Sequence, residues 1–225
     1  MTPATPATCA VWTDFGGVLT PPIEVTMAAF CRPMGLEPQA LRQAMYAVAA
    51  HYGTDVMAPL DTPLVSEAQW SREVEEALLA DHGVTADLSD FAAKWFTDRQ
   101  VNDGWLDRLR GLRAEGFRLG LLSNMVPDWD GYWRGMVPAD LFDEVVLSFE
   151  VGHRKPEQGI FDLAAVRLGL APRQCVLVDD LLLNCEGARA AGWQAVHFTD
   201  TADASARLDG LLAAVTRKER KGVAL

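Results

Sequence analysis

Apolar positions along this 225-residue chain follow two rhythms, and the change from one to the other divides it. After the short apolar stretch Cys9-Ala10-Val11-Trp12-Thr13, the pair Pro21-Pro22 stops any strand. From there to about residue 100, apolar residues recur at helical spacing with polar breaks. The spacing predicts helices over 23–34, 38–52, 66–82 and 88–99, with no second strand among them. The third has a start signal at Ser66-Glu67-Ala68-Gln69-Trp70 and a stop at Gly83. Pro59, Pro63 and the residues between them read as a loop.

From Asn102 the texture becomes an alternation of helix and strand. Trp105, Leu106, Leu109 and Leu112 keep helical spacing and stop at Gly116, and 118–122 then reads as a buried strand ending at Ser123. Strand 145–147 ends at Ser148, close to Glu150, and is followed by a helix over 156–168. The apolar run 175–178 ends in Asp179-Asp180; a helix through Cys185 to Ala191, a strand over 194–198 and a closing helix over 204–217 complete the pattern. Such alternation predicts an α/β fold, a parallel sheet covered on both faces and interrupted after its first strand by a helical block. Ligands in such sheets collect at the carboxyl ends of the strands, where Asp14, Ser123, Ser148 and Asp179-Asp180 all fall. Asp14 precedes Phe15-Gly16-Gly17, a tight turn whose glycines let backbone approach a ligand, and is expected to be exposed at the sheet edge.

Composition narrows the function classes. Twenty basic residues against thirty-one acidic ones give a net charge of −11, which disfavours nucleic acid and anionic membranes as partners. The basic cluster Arg217-Lys218-Glu219-Arg220-Lys221 reads as a solvated helix end. No apolar run approaches the ~20 residues that cross a bilayer, and Met1-Thr2-Pro3-Ala4-Thr5-Pro6 has neither the basic nor the apolar region of a signal peptide, so a cytoplasmic protein is expected. Cys9, Cys31, Cys175 and Cys185 lack metal-ligand spacing and read as reduced, buried residues.

Taken singly, the polar strand ends are weak signals: a DxGG turn is often only a turn, and Ser123-Asn124 or Lys155-Pro156 can serve a helix start. Asp179-Asp180 pulls harder, because adjacent carboxylates after four apolar residues repel unless a cation or hydrogen bonds intervene. In this order, four motifs resemble the haloacid dehalogenase-like hydrolase superfamily over nearly the whole chain. They are Val11-Trp12-Thr13-Asp14-Phe15-Gly16-Gly17-Val18-Leu19-Thr20; Leu121-Leu122-Ser123-Asn124; Gly152-His153-Arg154-Lys155-Pro156-Glu157; and Val176-Leu177-Val178-Asp179-Asp180, followed by Asn184 and Ala188-Arg189-Ala190-Ala191-Gly192. The resemblance implies a Rossmann-like core over 1–20 and 101–225 with a small helical cap over 21–100, in the branch of haloacid dehalogenases, phosphoglycolate-type phosphatases and the phosphatase domain of soluble epoxide hydrolases. It further implies Asp14 as the nucleophile that becomes an aspartyl-phosphate, and Mg²⁺ held by Asp14, the Gly16 carbonyl and Asp180, with Asp179 direct or through water. Ser123 and Lys155 would hold the phosphoryl oxygens, with Gly17 and Asn124 beside the substrate. The partner implied is a small phosphorylated metabolite; a homodimer is carried as an open expectation.

One position departs from the pattern. Most phosphatases that the motifs resemble carry a second Asp two residues after the nucleophile, as general acid and base, and here Gly16 stands there. General acid catalysis is worth about 10²–10⁴ in rate. Either the substrate has a good leaving group, such as an acyl or anomeric phosphate, or a cap residue or water supplies the proton, with His51, Asp55 and Asp61 as candidates. A different reaction is the remaining explanation: metal-independent dehalogenation or another aspartyl-ester hydrolysis, which the retained Asp179-Asp180 disfavours, or phosphonate hydrolysis on a cap lysine. Lys94 is the only lysine in the cap and reads as solvated. A weakly active phosphate-binding protein is the alternative from outside enzymology. Trp129, Tyr132 and Trp133 follow a strand end that faces the expected site and suggest an apolar or aromatic substrate body.

Overall fold

The computed structural model describes residues 9–222. The Pro/Thr/Ala leader over 1–6 lies outside the described residues, as do the side chains of the basic cluster over 217–221. Strand β1 (Ala10–Thr13) is followed by helices α1 (Ile23–Cys31), α2 (Pro38–His51), α3 (Ala58–Asp61), α4 (Glu67–His82) and α5 (Phe91–Phe96). The second part runs α6 (Asp103–Ala114), β2 (Arg118–Ser123), α7 (Asp130–Met136), β3 (Glu144–Leu147), α8 (Ser148–Val151), α9 (Gln158–Arg167), β4 (Cys175–Asp179), α10 (Leu182–Ala190), β5 (Gln194–His197) and α11 (Thr201–Gly222).

The five strands pair in parallel in the order β3-β2-β1-β4-β5, a Rossmann-like sheet with helices on both faces. Its faces follow the alternation of the strands. Val11, Leu119, Leu121, Val176 and Val178 join the larger core with α6, α11 and the helical segment, while Ala10, Trp12, Leu122, Cys175 and Leu177 meet α9 and α10. Because strand order reverses about β1, the crevice between β1 and β4 is the switch point, and Asp14 and Asp179 end the two strands that flank it.

The two passages between sheet and helical segment are stapled together. Asn102 donates its backbone N–H to Leu19 O at 2.8 Å and its side-chain amide to Val18 O at 2.9 Å. Within the segment, Ser66 caps α4 through Gln69 N and Gly83 closes it in the left-handed region, as its sequence signals predict.

Two local expectations need correction. The Pro59–Pro63 stretch contains α3, all four of whose residues are buried; Pro59 sits in the first turn, where its missing N–H is harmless. The helix expected over 88–99 shrinks to α5, because Asp90 and Asp98 bracket it with φ of 49° and 54°. The short helices α7 and α8 lie where sequence spacing shows no helix. The four cysteines are buried, and burial pushes the Cys175 and Cys185 thiols up to about 12. Among the described residues no helix is long and apolar enough to cross a membrane.

Packing on the α9–α10 face is set by one glycine. Gly120 lies opposite Trp12 in the β1–β2 register, and a Cβ there would fall inside the fully buried indole. Gly120→Ala is therefore expected to lower unfolding stability by about 1–3 kcal/mol in chemical denaturation, the usual cost of overpacking.

Candidate active site

The residues expected at the strand ends converge in space. Asp14 leaves β1 with its backbone N–H bonded to Val178 O, and the chain turns at once, Leu19 N, Thr20 N and the Thr20 hydroxyl all converging on Phe15 O. Gly17 sits in that turn at φ 71°, and any Cβ there would run into the Asp180 carboxylate. Glycine thus serves both the backbone conformation and the approach of the second strand end. Contrary to expectation, Asp14 is buried, at 8% exposure, because the helical segment covers the edge on which it stands.

Lys155, 1% exposed, places its ammonium 2.9 Å from Asp14 Oδ1 and 2.5 Å from Asp179 Oδ2. Burial works against this charge, but the two carboxylates more than offset it and hold the lysine above its ordinary pKa. Asp179 is saturated: its Oδ1 also accepts from Leu181 N at 2.9 Å and Asn184 Nδ2 at 3.0 Å. Asn124 clamps the lysine backbone, accepting from Lys155 N at 2.8 Å and donating to Lys155 O at 2.9 Å. It lines the cavity, but with an amide committed to positioning Lys155. Ser123, buried at the end of β2, lines the same cavity, and its hydroxyl makes no hydrogen bond among the described residues.

Asp180 faces the cavity. Burial, then the charges of Asp14 and Asp179, push its pKa up to about 7. Burial also raises Asp14, with Lys155 opposing. Oxygen atoms of Asp14, Asp179 and Asp180 lie within 4.8 Å of one another. With all three ionised, three carboxylates against one ammonium would leave two negative charges in excess, the deficit that a single divalent cation fills. The Gly16 carbonyl, also on the cavity, accepts no hydrogen bond among the described residues. An all-oxygen donor set with spare lone pairs fits a hard cation such as Mg²⁺.

Two arginines complete the site, neither given a role by sequence reasoning. Arg154 grips Asp61 with Nε and Nη2 at 2.9 and 3.0 Å and reaches Asp55 at 2.7 Å, binding the helical segment to the loop that carries Lys155. Ser148 adds a second tie, donating to Asp61 O at 2.7 Å and accepting from Met125 N at 3.0 Å. Arg99 donates to the Thr20 hydroxyl at 2.8 Å and lies over Phe15, Trp95 and Phe96, 5.4, 5.9 and 5.1 Å from their ring centres. Burial pulls its pKa down to about 10, so it stays charged at neutral pH. Of the cations on the cavity, Lys155, Arg154 and Arg42 each have a carboxylate within 4.0 Å and Arg99 has none among the described residues. The only local sign of Arg99 in the sequence is an arginine three and four residues after Phe96 and Trp95.

The remaining candidates separate. Asp55 and Asp61 line the cavity; His51 and Glu150 are exposed and do not. Lys94 pairs with Asp87 at 3.0 Å away from the cavity. Trp129 is on the cavity wall, Trp133 is fully buried and bonded to Asp130, and Tyr132 stacks on Phe96.

Comparison with known proteins finds phosphatases among the relatives and a shared fold among solved structures. A glyceraldehyde 3-phosphate phosphatase of Methanothermobacter thermautotrophicus is 38% identical over 92 residues, 38% of each chain. A phosphoserine phosphatase of Thermus thermophilus is 31% identical over 165 residues, 68% of this chain and 63% of that one. The matched stretches thus span less than two thirds of these curated relatives' lengths. A haloacid dehalogenase-type family enzyme of Bacteroides thetaiotaomicron, solved with magnesium and inorganic phosphate, shares the fold with a TM-score of 0.62 at 21% identity, over 86% of this chain and 95% of that one. The family model described as haloacid dehalogenase-like hydrolase matches residues 10–192, most of the sheet and the whole helical segment, and the chain belongs to that family.

Proposed function

We propose that the protein is a Mg²⁺-dependent phosphomonoesterase acting on a small phosphorylated molecule, with 1–20 and 101–225 as its core and 21–100 as a cap over the site. The observation that carries this reading is the buried Asp14 carboxylate ion-paired to Lys155 beside Asp179 and Asp180 at the sheet's switch point. It is supported by phosphatases among the relatives and by the magnesium and phosphate bound to the Bacteroides enzyme. No nucleic acid or membrane partner enters this reading, which carries a cytoplasmic setting and leaves a homodimer as an open expectation.

Asp14, Asp180 and the Gly16 carbonyl would hold Mg²⁺, with Asp179 one step back because its oxygens already serve Lys155, Leu181 and Asn184. When bound, the cation neutralises charge on the phosphate and lets two anions meet. Asp14 attacks phosphorus, the bond from phosphorus to the ester oxygen breaks, and the electron pair leaves with that oxygen. Lys155, the Ser123 hydroxyl and Arg99 hold the equatorial oxygens, and Arg99 can do so without giving up a carboxylate. Water then cleaves the aspartyl-phosphate, releasing inorganic phosphate and restoring Asp14. The leaving-group proton has no donor at Gly16, and Asp61, a candidate for that role, has both oxygens on Arg154. Solvent or an intrinsically good leaving group fills the gap.

Asp14→Asn should reduce kcat by at least about a thousandfold in a phosphate-release assay, and excess chelator should abolish release reversibly. Release from that variant at the native rate would overturn the nucleophile assignment; tight phosphate binding with no turnover by the native protein would instead make it a binding protein.

Asp180 generates a pH dependence. Its folded-state pKa, about 7, lies above the ordinary carboxylate value, so the metal-free folded protein keeps a proton that the unfolded chain has released. The resulting stability is fully present below about pH 4 and is lost as pH rises through about 7. The rise in Tm on adding Mg²⁺ should therefore be larger near pH 8 than near pH 5, where protons compete for the carboxylates; an equal rise at both would remove Asp180 from the cation site.

Gly16 supplies the third test. A Cβ at Gly16 meets nothing within 4 Å, so Gly16→Asp fits the open space. Its turnover of esters with poor leaving groups should rise at least about tenfold, the lower part of what a general acid provides, while acyl phosphates change little.

A further inference from the structure

The cavity that holds Asp14 is much larger than a phosphate needs, about 500 Å³, within the range that encloses whole organic ligands. Its outer wall is carbon. Phe91, Trp95 and Trp129 stack as a near-parallel set, with ring centres 5.4–6.2 Å apart and interplanar angles of 8–22°. Met27, Met45 and Met57 lie on the same cavity. Methionine and stacked aromatic surfaces adapt to hydrocarbon without demanding hydrogen bonds.

The polar groups near this wall are mostly spent on one another. Trp129 Nε1 donates to Glu67 Oε2 at 2.8 Å, whose other oxygen takes Ala92 N. Asp55 and Asp61 are held by Arg154, and Asn184 by Asp179. Among the described residues Trp95 Nε1 is unpartnered, and Arg42 has its nearest carboxylate, Glu24, at 3.8 Å. A polyhydroxylated body would leave most of its hydroxyls buried without partners. The rim points the same way. Ile23, Tyr46, Leu181 and Leu183 line the cavity and are 39–60% exposed, apolar side chains left in water around its mouth.

We propose that the cavity takes the hydrophobic alcohol portion of a phosphomonoester. Its phosphate lies at Asp14 and its apolar body runs along Phe91, Trp95 and Trp129 toward the exposed rim. The substrate class rests on the phosphomonoesterase reading, but the recognition of an apolar body does not depend on turnover.

Binding to the Asp14→Asn variant in the presence of Mg²⁺ separates the two. Geranyl monophosphate and glucose 6-phosphate serve as probes, with calorimetry and intrinsic tryptophan fluorescence as readouts. Geranyl monophosphate should bind at least about tenfold more tightly, the scale on which an apolar pocket discriminates, and should quench tryptophan emission. Met57→Gln, at a half-buried wall position that tolerates change, should weaken geranyl monophosphate several-fold and narrow the gap between the probes. Equal or weaker binding than glucose 6-phosphate, or a preference that Met57→Gln leaves intact, overturns the inference. Preferential binding to the variant combined with no phosphate release by the native protein upholds the pocket and instead overturns the phosphomonoesterase reading.

Discussion

A lysine ammonium almost wholly removed from water persists only where carboxylates meet it, and Lys155 meets two. One, Asp14, ends the central strand; the other, Asp179, ends its neighbour across the switch point. The pairing draws the loop that carries Lys155 over the crevice between them. Asn124 fixes that loop by its backbone, and Asn184 and Leu181 N fix Asp179, so the cation is held from three directions. Removing Lys155 would leave two buried carboxylates without their cation.

That arrangement leaves the site short of positive charge. Lys155 is fully engaged by the residues that bury it, and Asp180 faces the cavity with a pKa raised by burial and by its acidic neighbours. The proposed cation and Arg99 would both address this shortage. The cation would be held by the carboxylates, and Arg99, cradled by Phe15, Trp95 and Phe96, brings a guanidinium that no carboxylate among the described residues has claimed. Both depend on the helical segment. Arg99 lies on its return passage, and the Arg154–Asp61 pair ties α3 to the loop that precedes Lys155.

The strands and the four motif residues were legible because each is a local matter. Apolar runs ending in a polar residue mark β1, β2 and β4, and strand ends in a parallel sheet must share one edge, so Asp14, Ser123 and Asp179 had to meet. Ser66 and Gly83 bounded α4 for equally local reasons. The buried α3 was illegible because its prolines read as a loop, and its last residue is held by Ser148 from a strand end 87 residues away. The exposed acid expected at residue 14 became a buried one for a related reason: residues of α1, α2, α3 and α5 line the cavity on which it stands.

The sequence by itself determined the alternating core, the family and the edge at which chemistry gathers, since periodicity and motif order are properties of neighbouring residues. Only the tertiary structure decided how those residues divide the work. It turned Asn124 and Asp179 inward to position Lys155, left Ser123 and Asp180 facing the cavity, and brought Arg99 and an aromatic wall to the cavity that holds Asp14. Such partners are set by burial and charge balance among residues distant in sequence, 24 positions apart for Lys155 and Asp179 and 93 for Asp61 and Arg154, and no local pattern records which buried charge will meet which.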